Sequence, residues 1–118
     1  MKIIKNSFDG IKVAAEILNK NGVVAFPTET VYGLGANAFS QEAVNKVYKI
    51  KRRPSFNPLI IHVSSYDMAK EYGVFDDLAK KLTQEYWPGP LTIVVKRKNS
   101  DIVESATARL ETIALRCP

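Results

Sequence analysis

Short apolar runs alternating with stretches of helical period constrain this chain more than any other feature, because elements so arranged can only bury themselves as a sheet packed by helices. The runs are Gly22–Phe26, Leu59–Val63, Leu91–Lys96 and Glu111–Pro118. The most demanding is Leu59-Ile60-Ile61-His62-Val63, whose nearly continuous apolarity predicts a strand covered on both faces. Between the runs, Asp9 caps a predicted helix from Gly10 to Lys20, with Ile11, Ala14, Ala15 and Leu18 as its inward stripe. Ser40 caps another that reaches Ile50, with Val44, Val47 and Tyr48 inward. Two shorter helices carry Met68, Ala69 and Tyr72, then Leu78, Ala79, Leu82 and Tyr86, the second stopping at Trp87-Pro88-Gly89-Pro90. The expected fold class is therefore α/β, a sheet flanked by helices in one domain. Strand order and the mix of parallel and antiparallel pairs stay open.

At 118 residues there is room for one core and no second domain. A hydrophobic share of 46% and a charged share of 25% are those of a globular chain. No apolar run approaches the roughly 20 residues of a membrane span. Met1–Asn6 lacks an apolar signal core, so a cytoplasmic location is expected. The single Cys117 reads as a small buried hydrophobe. A net charge of +5 favours anionic partners, either phosphates on a small molecule or a nucleic acid. Lys70, Lys80 and Lys81 also fit the solvated faces of helices.

The segment from Phe26 to Gly35 turns an apolar strand abruptly into hydroxyls and glycines, Phe-Pro-Thr-Glu-Thr-Val-Tyr-Gly-Leu-Gly. Such a strand end presents hydrogen-bonding groups at a sheet edge, with glycines allowing close backbone approach; alternatively the glycines serve only turn geometry. Pro54 disfavours helix at Arg53 and swings Lys51-Arg52-Arg53 into a loop suited to phosphate oxygens, although cations late in a helix also complement its dipole. His62, the sole histidine, sits in an apolar strand, where a core role is the ordinary one. No metal-ligand, serine-elbow or Walker pattern accompanies it. Trp87–Thr92 reads as a rigid turn that aims the next strand, or alternatively as a segment that touches ligand. Thr112 and Arg116, four apart on a strand, share one face, and an arginine there wants an anion or the solvent.

Taken together, Phe26–Gly35, Lys51–His62, Trp87–Thr92 and Thr112–Pro118 resemble, in order, the PTETVYGLG, KxRP with NPLIxH, WPGPLT and T-x-A-x-R-x-P segments of the YrdC/TsaC family of threonylcarbamoyl-AMP synthases. The resemblance implies a YrdC-like twisted mixed sheet and a nucleotidyltransferase that joins L-threonine, bicarbonate or CO₂, and ATP into threonylcarbamoyl-adenylate with release of pyrophosphate, Mg²⁺ assisting. Its product would feed threonylcarbamoyladenosine modification of transfer RNA by downstream proteins. Carried over by position, Thr30, His62 and Arg116 would bind threonine, and Lys51, Arg53, Asn57 and Thr112 would face ATP. No residue is expected to be catalytic in its own right, whether as nucleophile or otherwise, and none to ligate a metal. Family members continue past the R-x-P stretch into a Ser-x-Asn segment, so residues 1–118 are expected to be the N-terminal two-thirds of the family domain. The alternative is a module that binds RNA, whether transfer RNA or double-stranded RNA, on a basic concave face without catalysis. A related protein with regulation or another carbamoyl substrate is a third reading.

Overall fold

The computed structural model describes residues 2–118, and only the first residue of the Met1–Asn6 stretch lies outside them. The first helix, α1 (Phe8–Asn19), starts two residues earlier than its spacing predicts. Ser7 is the cap: its backbone is extended and its Oγ accepts from the Gly10 amide at 3.1 Å. Asp9 instead falls in the first turn, where a negative charge suits the helix dipole. The inward stripe also shifts, to Gly10, Val13, Ala14, Ile17 and Leu18, leaving Ile11 and Ala15 exposed. Gly10 explains the shift, since any Cβ there would collide with the Lys5 carbonyl oxygen.

β1 (Val24–Pro27) and β2 (Tyr32–Gly35) form an antiparallel hairpin with Phe26 opposite Gly33. The second strand was expected to be loop. The turn between them is organised by Thr28, whose Oγ1 accepts from the Thr30 and Val31 amides at 3.3 and 3.2 Å. α2 (Gln41–Lys51) follows with Ser40 as its cap and Ala43, Val44, Val47 and Tyr48 buried. Arg52 closes it in the left-handed region at φ 51°, so Arg52 and Arg53 leave the helix ahead of Pro54, whereas Lys51, expected in the loop, stays in the last turn.

The main sheet contains β3 (Ile60–His62), β4 (Thr92–Lys96) and β5 (Thr112–Arg116) in the order β3-β5-β4. β5 is central, parallel to β3 and antiparallel to β4, so the sheet is mixed. α3 (Tyr66–Ala69), capped by Ser65, and α4 (Asp77–Tyr86), capped by Asp76, lie between β3 and β4 in sequence. A 3-10 turn over Glu104–Thr107, which carries no periodic signal, is fastened to the start of β3 by the Leu59 amide donating to the Ala106 carbonyl at 2.9 Å. No helix among the described residues is long and apolar enough to cross a membrane.

Strand parity divides this sheet into two unlike faces. Ile61, Ile113, Leu115 and Ile93 point to the core, packed with Val44, Tyr48, Ala69, Ile102 and Ala106. The other face carries Ile60 and His62 from β3, Thr112, Ala114 and Arg116 from β5, and Thr92, Val94 and Lys96 from β4. It is not covered as the apolar run predicts: Ile60 is 46% and Val94 64% exposed.

Candidate active site on the open sheet face

Register aligns the open face in rows. His62 and Thr92 flank Arg116, one on each side, because both are its direct strand partners. The next row is apolar, Ile60, Ala114 and Val94, and beyond it Lys96 stands opposite Thr112. Two of the expected threonine-binding residues, His62 and Arg116, are therefore immediate neighbours. Thr112 lies on the same face at the far end of β5, about 13 Å away along the strand.

The hairpin turn roofs the first row. Glu29, next to Thr30, reaches across to accept from Nη2 of Arg116, and this contact leaves the arginine buried on an otherwise open face. Nε of Arg116 is buried with no hydrogen-bond partner among the described residues. Thr30 lies exposed in the same turn, its Oγ1 3.2 Å from that of Thr28. The paired guanidinium holds the Glu29 carboxyl below its ordinary range.

Phe26 completes this wall, and the glycines of β2 have a role other than the expected approach of ligand or turn geometry. Neither has positive φ. A Cβ on Gly35 would stand 2.5 Å from Cε1 of Phe26, so the glycines make a seat for that ring. Phe26 then meets the imidazole of His62 edge to face, with centroids 5.8 Å apart. Crowding on that side, together with the positive charge of Arg116 and against the pull of Glu29, lowers the His62 pKa. That shift favours the uncharged ring.

His62 and Phe26 also border a cavity of about 460 Å³ with Lys51 and Arg53 on its wall. Lys51, Arg53 and His62 therefore share one hollow, whereas Thr30, Glu29 and Arg116 do not line it. Arg53 is less free than a phosphate-binding arginine in a mobile loop. Its Nη2 donates to the Pro58 carbonyl at 2.7 Å and its Nε to that of Asn57 at 3.4 Å. The Asn57 carbonyl also lies 2.8 Å from the Tyr48 hydroxyl, so this loop is tied to α2 from both ends. Lys51 remains exposed at the helix end. Glu29, Phe26 and Thr92 fall within segments that sequence reasoning marked, but it named none of them as a site residue. Thr92 was accessible to it, as the first residue of a strand beside the Trp-Pro-Gly-Pro turn, whose Gly89 amide donates to the Cys117 carbonyl at 2.8 Å.

Comparison with known proteins places the chain in a family. The family model for Sua5, YciO and YrdC, described as "Telomere recombination", matches residues 16–118. This chain belongs to that family. Over 109 residues it is 48% identical to a threonylcarbamoyl-AMP synthase of Bacillus subtilis, covering 92% of this chain and 32% of the relative. A Pyrococcus abyssi protein of the same name is 44% identical over 112 residues, again with 92% and 32% covered. The structure of P. abyssi Sua5 complexed with L-threonine superposes with a TM-score of 0.90 at 39% identity, covering 97% of this chain and 34% of that one. The Sua5/YciO/YrdC fold is thus present over nearly all of this chain, which spans about a third of the length of these relatives.

Proposed function

We propose that this chain carries the threonine-binding part of a threonylcarbamoyl-AMP synthase, with ATP and bicarbonate or CO₂ as the other substrates. The observation that carries the reading is the buried Arg116 guanidinium, which already holds a carboxylate on a face otherwise open to solvent. Supporting it are the relatives named for this activity and a relative's structure with L-threonine bound.

In this reading Arg116 pairs with the threonine carboxylate through a planar fork of donors. Thr30 hydrogen-bonds the substrate from the turn. His62 holds the threonine beside Arg116, and the free-amine form of the substrate attacks CO₂, forming an N–C bond as one C=O π bond opens onto oxygen and the proton released from nitrogen passes to solvent. A carbamate oxygen then attacks the α-phosphorus of ATP, and the bond to pyrophosphate breaks. Lys51 and Arg53 on the cavity wall face the phosphates and offset the charge that develops on the leaving group, with Asn57 and Thr112 bordering the nucleotide. No protein nucleophile is required, because positioning and charge stabilisation supply the catalysis. Among the described residues no three His, Cys, Asp or Glu side chains cluster as a metal cage. Mg²⁺ would enter on the ATP phosphates, as it does in many nucleotide sites. The product would serve transfer RNA modification in the cytoplasm through downstream proteins.

Pyrophosphate release should require threonine, ATP and bicarbonate together, and Arg53→Ala should depress it. Release that is independent of threonine, or equal in Arg53→Ala, would refute the respective assignments.

A further inference from the structure

We propose that Glu29 is a built-in competitor for the ligand carboxylate, holding Arg116 in a closed state that substrate must displace. The inference rests on the threonine reading above and concerns how that site admits its ligand. Nη2, which Glu29 occupies, and Nε, which is buried without a partner, form one edge of the guanidinium fork. A carboxylate bound side-on uses both. Glu29 uses one, so an incoming carboxylate replaces a single hydrogen bond by two and satisfies the orphaned Nε–H.

The position of Glu29 suits a group that leaves. It lies on an exposed turn whose shape is fixed by Thr28 rather than by the glutamate, so its side chain can swing into solvent without unmaking the hairpin. Removing the carboxylate therefore frees the receptor without removing a wall of the site. Where a site is competent only while a contact is open, apparent affinity falls by the open fraction. A contact closed about nine-tenths of the time weakens binding about tenfold.

The test is calorimetric titration of the protein and of its Glu29→Gln and Glu29→Ala variants with L-threonine and with L-threoninol, in which a hydroxymethyl group replaces the carboxylate. Thermal melts establish that the variants fold. Both variants should bind L-threonine about tenfold more tightly than the parent, while threoninol binding stays unchanged. Unchanged or weaker threonine binding by both variants, or an equal gain for threoninol, overturns the proposal and leaves threonine recognition standing. Absence of threonine binding in the parent and both variants overturns both.

Discussion

The chemistry of this molecule turns on single side chains whose neighbours are fixed by strand register. Arg116 needs its fork as well as its charge, since a lysine offers one compact ammonium where two parallel donors are required. Arg116→Lys is expected to raise the KM for threonine on the order of 10- to 100-fold, with a smaller change in the KM for ATP, read from steady-state pyrophosphate release. The seat beneath Phe26 is equally specific. Gly35→Ala places a methyl group 2.5 Å from the ring, and overpacking of this kind costs about 1–3 kcal/mol. Denaturant unfolding should show that loss, and adding Phe26→Leu should recover part of it, because two residues in contact are not additive.

At the scale of elements, caps and parity explain both what could be read in advance and what could not. Ser40 was legible because a hydroxyl precedes a helical stripe, and its Oγ accepts from the Ala43 amide at 3.1 Å. Ser40→Ala should cost about 1 kcal/mol, seen as a lower melting temperature. β2 was missed because Tyr-Gly-Leu-Gly is poor in the branched residues that favour strands; its glycines make sense only beside Phe26, across the hairpin. The 3-10 turn at Glu104–Thr107 was missed because four residues carry no period. The face shared by Thr112 and Arg116 follows from counting along one strand, and His62 joins it through pairing with Arg116. The partner of Arg116 could not be counted out. Glu29 lies 87 positions away, and nothing local marks it as the carboxylate that crosses over. Likewise, Leu59–Val63 reads as covered on both sides, yet only one side is: Ile61 and Val63 enter the core with Leu59 packed against it, while Ile60 and His62 stay exposed.

Across the whole molecule, the Glu29–Arg116 contact joins two sheets that share no strand pair, and acid should loosen them in two stages. The unfolded chain protonates its histidine near pH 6.5, whereas folded His62 resists protonation; stability is therefore full above that value and declines as pH falls toward the lower folded pKa. Glu29 shifts in the same sense. Its contribution is present above pH 4.5 and is lost as pH falls through its depressed folded value. Melting temperature measured from pH 7.5 to 3.5 should fall in both windows. His62→Gln should flatten the upper decline and Glu29→Gln the lower. The central place of β5 has a further consequence for biosynthesis. Ile60 finds its backbone partner Ala114 on the order of fifty residues later, and β4 must also wait for the same strand. While the ribosome is still making that stretch, both outer ribbons are exposed to chaperones and to misassociation, and the sheet zips only when its keystone emerges.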